Sequence, residues 1–463
     1  MRSMYDKSAL NPGVSRKEVW AWSMFDFANS GYTTVVLTAV YNEYFVNGIA
    51  QKASWATLAL TVALSLSYLV VMLLMPAIGA YADAKAAKKR LLFISSASCV
   101  ALTALLALPQ PGDVWFAAIL LCLSNVAFSV GESLCASFLP ELAKPDSMGR
   151  VSGWGWSLGY FGGMLTLAVC LGYVIWAQKS GIPASSFVPT TMLITAAIFA
   201  VAAIPTFLIL KERAQVVTPT PDITATPVAT VSPAKLDDNI SILTTVGASF
   251  KQLRLNWSEL PAFADFRQLL LCAVFYQAGI AVVITLAAVY AGAVMKFTQE
   301  QTMILVFLVN ITSAVGAFAF GYFQDRFGHK RMLSLTLYCW LAMVSIAGFT
   351  SSVGMFWFAA ALAGIAMGSS QSCGRALAAM LAPPDRVAEF FGLWAFATRL
   401  ASIIGPITYG LVTTATSGNH RLGILVTGLF FVVGLLLLRP LQIERGQAVA
   451  ARSVAKSAPQ SAL

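Results

Sequence analysis

The sequence predicts an all-α integral membrane protein whose twelve transmembrane helices form two parallel-related six-helix halves. Three observations lead there. Ala, Val, Ile, Leu, Met, Phe, Trp, Tyr and Cys make up 58% of the 463 residues and charged residues only 11%, whereas a soluble protein carries about 25% charged residues to cover its surface. The apolar residues gather into runs long enough to cross the hydrocarbon of a bilayer, which takes about 20 residues of helix. Two segments near the ends of these runs also occur twice along the chain.

The runs cover approximately 20–46, 55–81, 91–108, 114–138, 151–177, 190–210, 267–293, 301–322, 332–350, 354–380, 390–412 and 421–438. Each is set off by a break that lipid would not tolerate. The first follows the polar stretch of residues 1–19 and is parted from the second by Lys52; the second ends in ADAKAAKKR, the third in LPQPGD, and KPDSMGR leads into the fifth. QKSGIP separates the fifth from the sixth, Lys296 closes the seventh and QDRFGHKR the eighth. TSSVG, APPDR and TSGNHR divide the last four runs. Between the sixth and seventh, TPTPDITATPVATVSPAKLDD is rich in Pro and Thr and reads as a flexible linker. The predicted organisation is therefore a tail at 1–19, a first half at 20–210, a linker at 211–266, a second half at 267–438 and a tail at 439–463.

Of the 30 Lys and Arg residues, only Lys52, Lys179, Lys296 and Arg421 fall on the side opposite the termini, and Arg375 and Arg399 fall inside apolar runs. The positive-inside rule thus predicts both termini in the cytoplasm, which for a bacterium means the inner membrane. The net charge of +10 then reports orientation and not a nucleic-acid partner. The N-terminal stretch lacks the short apolar core and cleavage site of a signal peptide. All seven cysteines lie within predicted helices without a CxxC pair, so they read as packing residues and not as a disulfide or zinc framework. No GxxxxGK[ST] loop is present, and His329 and His420 belong to no metal-binding spacing. No cofactor, metal site or enzymatic residue set is expected.

The repeats relate the halves. GAYADAKAAKKRLL from Gly79 matches GYFQDRFGHKRML from Gly321: each Gly precedes an Asp by four residues (Asp83, Asp325), and a basic pair follows (Lys88 and Lys89, Lys330 and Arg331). LAKPDSMGRVSGW from Leu142 likewise matches LAPPDRVAEFFGL from Leu381. Six helices per half keep both halves in one orientation, the parallel-repeat case of secondary transporters.

The segment Gly321, Asp325, Arg326, Gly328, Lys330 and Arg331 resembles the cytoplasmic signature loop of the major facilitator superfamily, and Gly79–Arg90 resembles its other copy. That copy departs from the pattern at Ala84 and Ala86, which predicts a less tightly turned loop. WSMFDFANSGY from Trp22, FLPELA from Phe138, GRVSGWGWSLGYFGG from Gly149, GSSQSCGRAL from Gly368 and EFFG from Glu389 resemble the branch of autophagy-type vacuolar amino-acid effluxers and their bacterial relatives. The resemblance implies a secondary transporter that moves a small solute, an amino acid or similar metabolite, by alternating access. A proton is a candidate coupling partner. The rival from another class is a transporter-like receptor that binds a small ligand without net flux.

A charge at a helix centre costs about 2.5–3.5 kcal/mol on insertion scales, so ions inside the runs should be paired or line a cavity. Asp26, Glu132, Arg375 and Arg399 are the four that stand out. At 1.5 Å per residue the first three lie at a similar depth, roughly 10 Å from the helix ends. The resemblance places helices one, four, seven and ten around the central cavity, which adds Tyr276 and Gln277 to the candidate site. Arg375 is then a candidate for an anionic group of the solute, and Asp26 or Glu132 for a cation or proton; the alternative is a structural Glu132–Arg375 ion pair. Asn29 shares a face with Asp26 and either completes the site or stabilises a distortion beside Gly31. Arg399 is assigned to a gate. In the resembled family the signature loops are a conformational latch, here Gly79, Asp83, Lys88, Lys89, Gly321, Asp325, Arg326, Gly328, Lys330 and Arg331. Asp83 is expected to face the N-terminus of helix eleven near Glu389, with the lysines singly serving as membrane anchors. Gly155, Gly159 and Gly163 recur every four residues and, with Ser313, Ala317 and Gly321, predict close packing between the halves. Trp22, Trp154, Trp156 and Tyr160 read as packing or interface aromatics.

Overall fold

The computed structural model describes residues 5–213 and 260–457, apart from Lys52, Ser54 and Thr298. Most of the expected linker, and the two chain ends, lie outside the described residues. Among the described residues the regular elements are helices, and the one strand-like contact is a bridge between Leu10 and Ala143. In chain order the main helices are α1 (Arg16–Tyr32), α2 (Ala56–Ala84), α3 (Lys88–Leu105), α4 (Val114–Ala136), α5 (Met148–Lys179) and α6 (Ala184–Ile209). They continue with α7 (Ala264–Met295), α8 (Gln299–Phe327), α9 (His329–Phe349), α10 (Val353–Leu381), α11 (Val387–Ala415), α12 (His420–Leu438) and α13 (Ile443–Ser457).

Ten of these helices, α2 and α4 to α12, are long and apolar enough to cross a membrane. The other two expected spans differ for visible reasons. α3 has 18 residues and opens on Lys88, Lys89 and Arg90, so too little of it is uncharged. The first run is not one regular helix: α1 gives way to π-helical turns at Thr33–Ala39 and Phe45–Ile49 around a short α-turn at Tyr41–Tyr44. The distortion starts where the chain is β-branched and crowded, at Thr33-Thr34-Val35-Val36, while Gly31 lies so close to α5 that an added Cβ would meet Thr166 Oγ1 at 2.6 Å.

The packing repeats itself. α1 lies on α5 and α6 as α7 lies on α11 and α12, and α3 pairs with α4 as α9 pairs with α10. Between the first six helices and the last six, the extensive contacts are α2 with α11 and α5 with α8. Both depend on absent side chains. A Cβ on Gly79 would come within 2.7 Å of Glu389 Cα, and one on Gly392 within 2.8 Å of the Met75 carbonyl; on the other seam, one on Gly153 would meet the Ala317 carbonyl at 2.5 Å and Gly321 Cα at 3.1 Å.

The predicted glycine ridge is displaced. Gly155, Gly159 and Gly163 do not face α8. Gly159 and Gly163 face α1 and the turn after it, where a Cβ would meet Ser30 at 2.9 Å and Thr34 at 2.7 Å, and Gly155 faces Trp22 of α1 at 2.9 Å and Arg375 of α10 at 2.6 Å. The seam onto Ala317 and Gly321 of α8 is made by Gly149 and Gly153. A helix rotates about 100° per residue, so a shift of two residues turns the small-residue face from one neighbour to the next.

Candidate functional site

Four intramembrane charges form two ion pairs, and both pairs join one of the first six helices to one of the last six. Asp26 on α1 accepts a 2.7 Å hydrogen bond from Arg375 Nη1 on α10. Glu132 on α4 pairs with Arg399 on α11. The expected alternative of a Glu132–Arg375 pair is therefore corrected: Arg375 reaches α1 and leaves Glu132 to α11.

The Arg375 guanidinium is thoroughly occupied. Besides Asp26, its Nε donates to Ser152 Oγ at 3.2 Å and its Nη2 to the Ser152 carbonyl at 2.8 Å. Ser152 Oγ in turn donates to the Ser372 carbonyl, 2.9 Å away on α10. The Trp22 and Trp156 rings lie 4.8 and 5.2 Å from the guanidinium carbon, a distance at which indoles attract a cation. Trp22 is itself fixed by a 2.8 Å hydrogen bond to the Cys135 carbonyl. Gly155 makes room for the assembly, because a Cβ there would sit 2.6 Å from Arg375 Nη2. The Arg375 side chain keeps 6% of its exposure.

The second pair is more open. The Glu132 side chain is 35% exposed and that of Arg399 15%. Arg399 stacks at 5.7 Å on Tyr68 of α2, and its buried Nε has no hydrogen-bond partner. Nearby, Asn125 Nδ2 donates to Ser67 Oγ at 2.6 Å, tying α4 to α2. Asn29 is buried, with its side-chain oxygen unpartnered, just before the π-helical turn. Gln277 exchanges amide hydrogen bonds with Gln371 between α7 and α10, and the buried Tyr276 hydroxyl lies 2.5 Å from where a Gly374 Cβ would be.

The two signature loops act as carboxylate caps in trans. Asp83, at the end of α2, accepts the Glu389 backbone N–H of α11 at 2.9 Å. Asp325, at the end of α8, accepts those of Gly149 and Arg150 of α5 at 2.9 and 3.0 Å. Neither α5 nor α11 has a side-chain cap of its own, so each borrows one, and the helix dipole favours the borrowed charge. The supporting cations differ. Asp325 takes the Arg150 Nε at 3.0 Å from the capped helix itself. Asp83 is supported by Lys88 at 3.2 Å, which also binds Glu141 at 3.1 Å.

Lys88 is thus no solvated anchor: its side chain is 2% exposed. Lys89 donates to the Leu210 carbonyl and Lys330 to the carbonyls of Arg439 and Leu441, so each ties its loop to the end of the sixth or twelfth helix. Arg326 and Arg331 are exposed. The expectation of a less tightly turned first loop fits the structure: residues 85–87 part α2 from α3, whereas Gly328 alone parts α8 from α9. Ala86 takes a positive φ of 47°, where Gly328 at the matching place has 94°, so the longer loop still reverses through a positive φ, at the cost of holding a Cβ in the left-handed region.

Two clamps escaped the sequence reading. Glu18 at the start of α1 accepts the Lys211 N–H and the Arg213 guanidinium; Asp265 at the start of α7 accepts the Gln442 N–H and the Arg445 guanidinium. The signal was present as a Glu-Arg dipeptide closing each half, at Glu212-Arg213 and Glu444-Arg445.

Solved structures share this architecture. The human organic anion transporter MFSD10 superposes with a TM-score of 0.67 at 14% identity, covering 91% of this chain and 99% of that one. The proton:xylose symporter XylE does so at 0.66 and 12%, covering 94% and 98%. The fold is that of the major facilitator superfamily, and the chain is a multi-pass membrane protein. The sequence model of the family described as "Vacuole effluxer Atg22 like" matches residues 44–451, so the chain belongs to that family. An uncharacterized MFS-type transporter, YxiO of Bacillus subtilis (strain 168), is 26% identical over 428 residues, covering 91% of this chain and 94% of that protein. Autophagy-related protein 22 of Cryptococcus neoformans var. neoformans serotype D (strain B-3501A) is 28% identical over 194 residues, covering 38% of this chain and 35% of that protein.

Proposed function

We propose that the chain is a secondary transporter that moves a small solute, an amino acid or similar metabolite, by alternating access between two six-helix halves at 20–210 and 267–438. The observation that carries this reading is the pair of ion pairs placed across the two sets of helices, Asp26–Arg375 and Glu132–Arg399. A static protein gains little from charges buried in this way, because desolvation offsets most of their attraction. A protein that must separate the same surfaces in each cycle can use bonds that break and reform. Support for the solute class comes from the family and from the motifs shared with its effluxers.

The geometry also divides the roles. Arg375, lying over two indole rings and bonded through all three nitrogens, is the strut of the closed end. Arg399, with one donor unused beside a part-exposed carboxylate, is the better anchor for an anionic group of the solute. Glu132 is the proposed proton carrier. The latches at Asp83 and Asp325 hold the end where both termini lie, the cytoplasmic side of a bacterial inner membrane on this reading.

Counterflow in proteoliposomes tests the function. Vesicles preloaded with unlabelled amino acids should take up the corresponding labelled one. Saturable binding without counterflow, across a broad metabolite panel, would make the protein a receptor and sink the transporter reading.

A further inference from the structure

The described chain begins with a segment that the transport reading leaves unused. Residues 5–14 do not trail into solvent: Tyr5, Ala9, Leu10 and Val14 are all buried. The later part of the segment is fastened to the first six helices. The Asn11 N–H donates to the Leu142 carbonyl and the Lys144 N–H to the Ala9 carbonyl, both at 3.0 Å, forming the bridge between Leu10 and Ala143. Asn11 Nδ2 adds a 2.9 Å bond to the Pro140 carbonyl.

The leading part packs on two α5 side chains that bridge to α8. Tyr5 meets Trp154 of α5 edge-on at 5.3 Å, and Trp154 Nε1 donates to the Tyr322 hydroxyl of α8 at 3.2 Å. Asp6 lies 3.8 Å from Arg150 Nη1, while Arg150 Nε holds Asp325 of α8 at 3.0 Å. One guanidinium therefore serves both the latch and the segment. Trp154 is also only two residues from Ser152, which holds Arg375, so the tip lies on the elements that close this end beneath the buried ion pair.

We propose that residues 5–14 form a lid on the α5 side of the α5–α8 seam, anchored at Leu10 and Asn11, whose tip of Tyr5 and Asp6 steadies Trp154 and Arg150 in their bonds to α8 and must release them before the two helices separate. The inference rests on the alternating-access reading and adds a restraint on one of its two states. The strengths of the contacts suit this division. The anchor is made of backbone hydrogen bonds to the helices and buried apolar residues, whereas the tip is held by the buried Tyr5 ring against Trp154 and by an ion pair whose carboxylate is 47% exposed, a kind of bond that contributes little in water. A lid held in this way can lift at its tip and stay attached at its root. Because Arg150 touches both Asp6 and Asp325, lifting the tip also loosens the latch.

Distances between spin labels on the full-length protein test this. One label is placed at exposed Arg90 on α3 (Arg90→Cys) and one at exposed Ala448 on α13 (Ala448→Cys). The half-buried Cys339 is replaced by Ser, the other six cysteines being buried. With the tip intact the pair should give one short distance. Tyr5→Ala with Asp6→Ala should add a longer component, and Asp6→Asn alone a smaller one. An unchanged distribution in both, while Asp83→Asn does add the longer component, would overturn the lid and leave alternating access standing. If none of the three changes the distribution, the lid and the rocking of the halves both fall. Because the readout is a distance, destabilised protein is recognised by a structureless broad distribution, and Asp6→Asn, a change at an exposed side chain, then decides.

Discussion

Asp26–Arg375 and Glu132–Arg399 both tie a helix of the first six to one of the last six, and their surroundings differ in every respect that matters for function. Arg375 lies over the rings of Trp22 and Trp156, and Ser152 takes a donor from each of the two nitrogens that Asp26 does not. Arg399 has one aromatic face, Tyr68, an unpartnered Nε and a carboxylate that is 35% exposed. A cation bonded through all three of its nitrogens has little left to offer a ligand and serves best as a strut. A cation with a spare donor and a wet partner can exchange partners. On the proposed reading, two pairs of the same chemistry, in one membrane, divide into a closure element and a binding element according to how completely the protein satisfies the arginine.

The comparison can be broken most easily at Arg375. Replacing it with Met leaves Asp26 buried without a counter-ion, and breaking a buried pair costs about 3–5 kcal/mol. Arg375→Met should therefore lower the melting temperature sharply and abolish transport. Arg399→Met should abolish transport with a much smaller loss of stability, since Glu132 reaches water. Equal losses in thermal unfolding would erase the distinction between the pairs.

A smaller effect is expected at the latches. Asp325→Asn and Asp83→Asn each remove a charged cap, worth about 0.5–2 kcal/mol. Asp83→Asn should cost more, because it also leaves the buried Lys88 with Glu141 as its remaining carboxylate. Chemical denaturation of the two variants side by side checks the order. The smallest effect sharpens the comparison between the two loops: Ala86→Gly should relieve the left-handed strain and stabilise by about 0.5–1 kcal/mol, less than the strain itself because glycine is more disordered when unfolded. Gly328→Ala should destabilise by more, about 1–3 kcal/mol, because φ 94° with ψ 136° is a conformation that residues with a side chain scarcely adopt. An Ala86→Gly variant less stable than its parent would contradict this account of the turn.

Much of the fold was legible because hydropathy, the positive-inside bias and repeated loops are strong, local signals. The breaks placed most helices correctly, and the match between the Gly79 and Gly321 segments anticipated that both aspartates sit at equivalent helix ends. The π-helical turns after Tyr32 were not legible, since they arise where α1 meets Thr166 of α5, a contact remote in sequence. At the candidate site the four charges could be named from their position in apolar runs, but their partners could not. Depth alone makes Glu132 and Asp26 equivalent for Arg375. The choice is made by rotation about the helix axis and by Ser152 and the tryptophans, which reach the guanidinium only in three dimensions. The same limit explains the glycine ridge, where small residues announced close packing but not the helix packed against.

The division of roles rests most directly on Glu132. Counterflow and proton-gradient-driven uptake, measured in the same proteoliposomes for the parent protein and Glu132→Gln, separate solute exchange from coupling. Retained counterflow with loss of gradient-driven uptake is the predicted result. Gradient-driven uptake that survives at the parent rate would show that Glu132 carries no proton and would contradict the assignment of the open pair as the working site.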